Sequence, residues 1–529
     1  MNTASSSMIR LAVTGLVLLT APAPARADEP VQEWYDQSIG GNNGALDSQG
    51  NVATGLLHET YKFSADGTLL WTQPFDIPTD HTLLHWLAVD SSDNVIRGGY
   101  QEGGGGGYLA VKYDPSGNEL WWTIAPGTEG GQAFRVAVDE YDDMYLFGEA
   151  YQGFAKKRLT VKIDKNGQVQ WLRWTWMAEP VEMAVRDGKV VVTAEAGGGD
   201  YVTTAYGYDG ALLWESIYEA GTSLNHVAIG ADGQVVVCGW GMSSISPGSA
   251  GTVVQYDAVG NERWATEYNG PYGGVEIFHR VAVDDDGFVI AAGYGLSSAP
   301  DDAWSIVKLD PAGQVVWTFL YDNVTFTGWE YAYSLAVGEA GAIYAGGLSD
   351  RHASCGFGSL EGQLIKLDSD GALEWHHHLP CGSYPRTVLL DGQGGVVGVT
   401  LGQVIKLRER FVDLGAGLAG ANGLPKLTGS GTLVAGAPVT LTLSGAKAGA
   451  PATRIVGLVD VGLPLLGGTL VPSADVMIPL VVGGGGTHVL SAPWPTGVPA
   501  AVHLYMQDWI ADPAGSFGYA ASNGLQVNP

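Results

Sequence analysis

The stretch VKYDPSGNELWW (residues 111–122) decides the fold, because close variants of it recur along the chain. They are VKIDKNGQVQW (161–171), VQYDAVGNERW (254–264), VKLDPAGQVVW (307–317) and IKLDSDGALEW (365–375). Each copy has an alternating apolar run, a turn rich in Asp and Gly, and a second run that ends in tryptophan. Such a pattern predicts a β-hairpin. The stretch therefore encodes two antiparallel strands and the corner that joins them.

A second recurring stretch precedes each copy and encodes another hairpin. Its members share an apolar run, a tight turn and a β-branched or aromatic run; they are LAVDSSDNVIRGGY (87–100), VAVDEYDDMYLFGE (136–149), VAIGADGQVVVCGW (227–240), VAVDDDGFVIAAGY (281–294) and LAVGEAGAIYAGGL (335–348). One unit is thus four short strands, named A to D in chain order. The tryptophans that end the units lie 43 to 58 residues apart. Four-stranded repeats of about 40–50 residues are typical of β-propeller blades.

The two ends of the array predict how the ring closes. The A strands begin around eight positions, which are Ala45, Ala88, Ala137, Ala184, Ala228, Ala282, Ala336 and Leu389. The last unit, GQVIKLRERF (402–411), lacks its tryptophan, whereas the N-terminal stretch VQEWYDQSIGG (31–41) supplies one at Trp34. We predict an all-β propeller of eight four-stranded blades, with seven as the alternative because the first and fourth units are short. The N-terminal strand completes the last blade, which removes open sheet edges.

The repeated residue types have structural explanations. The corner Asp and Gly build tight turns, and the tryptophan buries a large surface against the next blade. The lysine of the repeated stretch, as at Lys112 and Lys308, is expected to lie along its strand with the ammonium group in solvent.

The units AVDSSDNVIRGGY…LAVKYDPSGNELWW resemble the β-propeller repeats of secreted bacterial proteins, which are related in pattern to quinoprotein-type propellers. The resemblance covers about residues 31–412 and implies a propeller fold. Quinoprotein enzymes carry two adjacent cysteines and a calcium-bound quinone. Here Cys238, Cys355 and Cys381 are far apart in sequence, so the resemblance does not extend to that cofactor.

The N-terminal segment has the pattern of a signal peptide, predicted over residues 1–27. Arg10 is followed by an apolar run at 11–20 and by Ala25-Arg26-Ala27, a small-x-small cleavage pattern. No later run of about 18 apolar residues indicates a membrane span. We expect a protein that is secreted or at the cell surface, with the periplasm as a further alternative.

The remaining segments are predicted from changes in composition. The propeller occupies residues 28–412, a Gly-rich linker 413–425, and a β-sandwich 426–529, in which VTLTLSG (439–445) alternates with period two. The end of the chain resembles a C-terminal module of large secreted bacterial proteins, which implies a role in attachment or sorting.

The charge of the chain bears on its partners. With 55 acidic and 26 basic residues, the formal net charge is −29. Such a field repels phosphate backbones, so nucleic acid is not expected as a partner. We expect an extracellular ligand or a cell-surface component, whose identity the sequence leaves open.

The candidate ligand site lies at the mouth of the propeller channel. The A–B and C–D turns are short, whereas the B–C and D–A loops vary, and variable loops on one end of a scaffold commonly carry binding sites. Two residues before each of the eight A-strand positions given above lies a residue of a mostly polar set. The set is Asn43, Trp86, Arg135, Glu182, His226, Arg280, Ser334 and Thr387. Such a ring predicts a site for an anionic or sugar-like ligand, although exposed strand starts are also ordinarily polar.

A further cluster of histidines and cysteines bears on metal binding and disulfide formation. His352, His376 and His378 are weak metal candidates, and Cys355 and Cys381 are expected to pair as a disulfide, which would remove two sulfur ligands. No cofactor is predicted; acidic turns such as DEYDD (139–143) leave calcium open, although no complete twelve-residue calcium loop is present.

Two hypotheses for function follow. The first is an exported, non-catalytic propeller that acts as a binding or surface-structural module through its variable loops, because no catalytic motif appears. The alternative is a hydrolase or lyase that acts on an extracellular carbohydrate at the channel mouth, with paired groups such as Glu182 and His226.

Overall fold

A computed structural model gives the structure of the chain. It describes residues 18–20, 30–36, 43–75, 82–102, 106–152, 154–175, 178–219, 223–242, 244, 248–296, 302–322, 330–350, 360–499 and 502–529. Apart from two 3₁₀ turns, Glu339–Gly341 and Ser516–Gly518, the regular elements of these residues are β-strands. No helix in this part of the chain is long and apolar enough to cross a membrane.

The first 408 residues contribute eight four-stranded antiparallel units in the described part of the chain, called blades 1 to 8. In the order A to D, blades 1 to 4 are Gly44–Leu46, Val52–Leu56, Glu59–Phe63, Leu69–Pro74; Thr82–Val89, Val95–Gln101, Tyr108–Tyr113, Glu119–Ile124; Gln132–Val138, Met144–Gln152, Ala155–Ile163, Val169–Thr175; and Ala178–Arg186, Lys189–Ala196, Tyr201–Gly207, Leu212–Tyr218. Blades 5 to 8 are Ser223–Ile229, Val235–Met242, Gly248–Tyr256, Glu262–Tyr268; Gly274–Val283, Val289–Leu296, Asp302–Leu309, Val315–Tyr321; Tyr331–Val337, Ile343–Asp350, Leu360–Leu367, Leu373–His378; and Thr387–Leu390, Gly395–Thr400, Gln403–Arg408, Val31–Asp36.

The blades form a closed ring around a central channel. Each A strand contacts the A strand of the next blade, and that of blade 8 contacts that of blade 1. Blades 5 and 6 are also joined by a short parallel pairing of Gly248 and Ser249 with Gly274 and Val275. The predicted all-β propeller is confirmed.

The N-terminal strand completes blade 8, as predicted. Val31–Asp36 pairs antiparallel with Gln403–Arg408. Trp34 stacks on Phe63 of blade 1 with ring centroids 5.6 Å apart, and its Nε1 donates to the carbonyl oxygen of Ala65 at 3.0 Å. The seam between the last and first blades therefore uses a tryptophan contact that also occurs within the chain. There Nε1 donates to a backbone carbonyl of the next blade at Trp71, Trp121, Trp171, Trp264 and Trp317.

That contact explains why the repeated stretch ends in tryptophan. Trp121 Nε1 donates to the Lys165 carbonyl in the next blade at 3.0 Å, and the ring lies on Gly167. Gly167 has φ of +84°, and a Cβ there would sit 2.9 Å from the ring. Glycine is thus required both for the turn and for the approach of the neighbouring tryptophan.

The lysine of the repeated stretch is buried, so the expectation of a solvent-exposed ammonium is wrong. Lys112 is 3% exposed, and its Nζ lies 2.6 Å from Oδ2 of Asp90 in the A–B turn of the same blade. Lys308 pairs with Asp284 in the same way at 3.1 Å. The ion pair holds the two hairpins of a blade together, which gives the Asp of the AVD stretch a second role beyond its turn.

A three-residue strand, Leu18–Thr20, lies inside the predicted signal peptide and pairs in parallel with the D strand of blade 6.

The C-terminal residues form a separate β-module. Its strands are Phe411–Asp413, Lys426–Gly431, Pro438–Ser444, Pro451–Gly457, Asp460–Leu465, Gly468–Pro472, Val476–Val481, His488–Pro493, Leu504–Ala511, Tyr519–Ala521 and Leu525–Val527. They form sheets of six, three and two strands in the described residues. Leu427 and Leu441 of the three-stranded sheet share a core with Met506 and Leu525 of the six-stranded sheet. The two larger sheets are therefore packed against each other.

The segment predicted as a Gly-rich linker pairs with the rest of the C-terminal module. Phe411–Asp413 pairs with Leu525–Val527, so the first module strand begins at the predicted end of the propeller. Within the predicted linker, Leu418 bridges to Ala521. Asn528 Nδ2 donates to the Glu409 carbonyl at 2.8 Å, which ties the module to blade 8. Backbone pairing therefore joins parts of the Gly-rich segment to the module.

Candidate functional site

The inner strands carry a β-bulge where they enter the channel. In blades 2 to 7 the pairing of strands A and B shifts by one residue, which leaves six unopposed residues: His85, Phe134, Val181, Asn225, His279 and Tyr333. Each lies immediately before a residue of the predicted ring. A bulge bends its strand and re-aims side chains. In blades 2, 3, 4 and 7 it accounts for the exposure of two successive side chains, rather than alternate ones, to the channel mouth.

A glycine on strand B makes room for the bulge. Gly293 lies opposite Phe278, and a Cβ on it would overlap the carbonyl oxygen of Ile277. The glycine that precedes the last aromatic residue in stretches such as VAVDDDGFVIAAGY is therefore a packing requirement.

Replacing Gly293 by alanine should lower the free energy of unfolding by about 3 kcal/mol, because backbone must move to admit the methyl group. Gly197→Ala is the matched control, since its Cβ would meet nothing within 4 Å and its φ is not in the left-handed region. Urea unfolding measures both variants. Equal, small effects would contradict the stated role of the glycine.

All eight predicted ring positions line one cavity of about 930 Å³, called the channel-mouth cavity. One residue comes from the A strand, or its immediate start, of every blade. Further lining residues that the sequence did not single out include His85, Tyr100, Phe134, Tyr333, Tyr384 and Arg386. The structure thus gathers the ring into one site and adds aromatic side chains to it.

Arg135 and Glu182 form the charged pair of the cavity. Arg135 Nε lies 2.6 Å from Glu182 Oε1, and the guanidinium lies 4.2 Å from the Trp86 ring centroid, a cation–π contact. Burial opposes ionisation of Glu182, but the positive charges of Arg135 and Arg280 and the hydrogen bond from Arg135 outweigh it and hold its pKa below the usual value. Glu182 is therefore a carboxylate at neutral pH.

Arg280 and His226 lie beside that pair. Burial, followed by the charge of Arg280, lowers the pKa of His226 to about 4, so its imidazole is neutral at neutral pH. Its Nδ1 accepts a hydrogen bond from the Val281 amide at 3.4 Å, which places the proton on Nε2. Arg280 Nη1 donates to the His279 carbonyl at 3.0 Å, and Arg280 forms no ion pair within the described residues.

Asn43 and Ser334 are largely used by the fold. Asn43 Nδ2 donates to the Leu87 carbonyl of blade 2 at 3.2 Å, and Ser334 Oγ donates to the Gly346 carbonyl at 3.1 Å. Both side chains are buried. Thr387 begins strand A of blade 8 and also lines the cavity. Ser334 therefore mainly shapes the cavity, whereas the buried Oδ1 of Asn43 has no hydrogen-bond partner among the described residues.

A cluster of five rings on blades 6 to 8, called the aromatic wall, reaches the cavity through Tyr333 and Tyr384. Its members are His279, Tyr294, Tyr331, Tyr333 and Tyr384. Ring centroids lie 4.3 Å apart for Tyr294 and Tyr331, 5.2 Å for His279 and Tyr333, and 5.4 Å for Tyr333 and Tyr384. All five side chains are partly exposed. Sequence reasoning missed His279 and Tyr333 because strict alternation turns the residue before each ring position away from the channel.

The predicted metal and disulfide residues lie elsewhere. His376 and His378 share one side of a strand, with ring centroids 4.9 Å apart, and His378 Nδ1 is 3.3 Å from Glu361 Oε1. His352 and Cys355 lie outside the described residues. Cys381 is in a disulfide, and its pairing with Cys355 stays a prediction. Cys238 is a buried free thiol.

The acidic turns considered for calcium have partners of their own. Asp139 accepts hydrogen bonds from the amides of Tyr141 and Asp143, and Tyr145 donates its hydroxyl to the other carboxylate oxygen. Among the residues that the structure describes, no three His, Cys, Asp or Glu side chains are grouped so that they could hold a metal ion.

The fold and the site define a β-propeller repeat protein. No protein-family model and no curated protein matches the sequence. Among solved structures, the C-terminal WD40 domain of Sif2 matches with a TM-score of 0.50 and 11% identity, covering 72% of this chain and 98% of that one. Sqt1 from Chaetomium thermophilum matches at 0.49 and 11%, over 72% and 99% of the two chains. A europium-containing methanol dehydrogenase matches at 0.36 and 13%, over 68% and 74%. At these identities the Sif2 likeness shows the fold alone.

Proposed function

We propose that this chain is an exported, non-catalytic binding propeller whose channel-mouth cavity holds an anionic ligand. The supporting observation is that the charged residues lining the cavity are mostly basic, whereas those of the whole protein are mostly acidic. The protein as a whole has 55 acidic and 26 basic residues, yet the charged residues that line the cavity are Arg135, Arg280, Arg386 and Glu182. A cationic cavity in an acidic protein favours an anion at that place and disfavours it elsewhere.

Arg280 supplies the free positive charge. Glu182 already neutralises Arg135 through the 2.6 Å ion pair, whereas among the described residues Arg280 has only a backbone carbonyl as its hydrogen-bond acceptor. Burial lowers the pKa of Arg280, which expresses the cost of holding this cation away from water. A bound anion offsets that cost, and guanidinium donors suit a carboxylate or a related oxyanion.

A hydrolase or lyase acting on an extracellular carbohydrate is the second candidate. Glu182 and His226 line the same cavity, with Glu182 buried and His226 half-buried. His226 carries its proton on Nε2 while its Nδ1 accepts from the Val281 amide, so it would offer a substrate a hydrogen-bond donor. The ion pair of Glu182 with Arg135 favours a structural role for Glu182 instead.

The binding proposal predicts anion-dependent stabilisation that requires Arg280. Millimolar glucuronate, citrate and sulfate are tested by thermal unfolding, since a ligand bound only to the folded state raises the melting temperature. At least one should stabilise the natural chain, and Arg280→Gln should lose about tenfold or more in affinity. Arg263→Gln, at a half-exposed side chain outside the cavity, is the matched control and should behave as the natural chain.

If no anion stabilises the protein, or if Arg280→Gln responds like the natural chain, the proposed site is wrong. Incubation with acidic and neutral oligosaccharides separates the two functions. Shortened products that disappear in His226→Ala would establish catalysis and overturn the non-catalytic proposal.

A further inference from the structure

We infer that the ligand of the channel-mouth cavity is a short acidic oligosaccharide, with a sugar carboxylate against Arg280 and sugar rings stacked along the aromatic wall. The inference rests on the proposed anion site and adds the class of the ligand. It joins two observations that are independent of each other, namely the unpaired arginine and the row of partly exposed rings.

The aromatic wall offers stacking surfaces that run from the cavity towards the variable-loop face. Tyr333 is its centre, because its ring contacts His279 at 5.2 Å, Tyr331 at 5.8 Å and Tyr384 at 5.4 Å. Both Tyr333 and Tyr384 line the cavity. Ring faces that remain partly accessible after such mutual packing are fixed in position, so a ligand that stacks on them loses little protein entropy.

The charges beside the wall select what can stack there. Aromatic faces are electron-rich and attract cations or the C–H groups of a flat ring. Arg386 already lies 5.5 Å from the Tyr384 ring, and its Nη2 donates to the Tyr384 hydroxyl at 3.1 Å. With Arg280 also nearby, a cationic ligand is repelled. A neutral sugar face with polar edges fits both the ring faces and the tyrosine hydroxyls.

The size of the cavity indicates more than one sugar. Pockets for drug-sized ligands have about 300–1,000 Å³, and this cavity of about 930 Å³ lies near the upper end. The wall, built from blades 6, 7 and 8, extends the contact surface beyond the position of Arg280. A ligand of several linked rings can occupy both places at once.

The charge next to Arg280 favours a carboxylate over a doubly charged phosphate. Glu182 is ionised in the same cavity and interacts electrostatically with Arg280. A dianion would be repelled by Glu182 more strongly than a singly charged carboxylate. A uronic-acid unit therefore suits the local balance of charge.

Titration calorimetry with the full chain tests this inference, using short oligogalacturonates and the same oligomers after reduction of their carboxylates. The acidic oligomer should bind about tenfold or more tightly than the reduced one. Tyr333→Leu, which keeps apolar bulk but removes the ring face, should weaken binding of the acidic oligomer about tenfold. Tyr151→Leu, at an exposed ring of blade 3 outside the cavity, should leave it unchanged.

The outcomes separate this inference from the proposed function. If glucuronate, citrate or sulfate stabilises the protein through Arg280 but oligogalacturonates do not bind, the anion site stands and the oligosaccharide is wrong. If no anion binds, both fall. Equal affinity for the acidic and reduced oligomers, or equal effects of Tyr333→Leu and Tyr151→Leu, also overturns the inference. Tyr384→Leu serves as the second wall variant if Tyr333→Leu does not fold.

Discussion

Replacing Trp34 by alanine should lower the free energy of unfolding by about 3 kcal/mol and reduce the melting temperature of the propeller. The ring of Trp34 packs on Phe63 and Gly67 of blade 1, and its Nε1 donates to the Ala65 carbonyl. Loss of these contacts weakens the attachment of Val31–Asp36, the strand that the N-terminal part of the chain contributes to blade 8. Calorimetry or circular dichroism measures the change.

Trp122→Ala is the matched control for that experiment. Trp122 is 46% exposed and directly follows a repeat tryptophan, but its neighbour is Phe75, at 6.2 Å between ring centroids. An exposed aromatic residue contributes less, so its loss should cost under about 1 kcal/mol. If the two alanine variants unfold at the same temperature, Trp34 does not stabilise the ring in the stated way.

Asp90→Asn should destabilise the propeller by about 3–5 kcal/mol, because it leaves the buried ammonium of Lys112 without its carboxylate. The carboxylate lies 2.6 Å from Lys112 Nζ, and that charge together with turn hydrogen bonds overcomes burial and lowers the pKa of Asp90. Adding Lys112→Met in the same chain should recover most of the loss, since no unpaired charge then remains. Denaturant unfolding of the single and double variants measures the coupling.

Asp257→Asn provides a close control. Like Asp90, Asp257 accepts two backbone amide bonds in a tight turn, from Val259 at 3.0 Å and Asn261 at 2.9 Å. It has no ion pair with a buried lysine among the described residues, so the substitution should cost little. A large effect at Asp257, or no recovery in the double variant, would show that turn chemistry rather than the buried pair explains Asp90.

The propeller was predictable because its signals repeat. A single hairpin pattern is ambiguous, but the recurrence of one tryptophan at a regular interval fixed the blade, and its absence from the last unit pointed to Trp34. The ring of site positions was also predictable from alignment of the units, because every blade places the same register position at the channel mouth.

Other features depend on contacts that no single stretch contains. The burial of Lys112 arises only when the A–B turn of the same blade presents Asp90 to it. The aromatic wall arises from bulges, which place Tyr333 as well as Ser334 at the channel and break the alternation on which strand predictions rest. The glycine opposite five of the six bulges, as at Gly293, was the one available sequence signal for this change; blade 4 has Ala194 there.

The closure of blade 8 has a consequence for the order in which the protein folds. Glu33 and Arg408, which form an ion pair across this seam, are 375 positions apart. Pairing over such a separation carries a large loop-closure cost and is slow. The N-terminal strand of blade 8, Val31–Asp36, must wait for strand Gln403–Arg408, and until then Gln403–Arg408 has an open edge that can pair wrongly. Because all eight blades line the cavity, a nascent chain completes that cavity only late in synthesis.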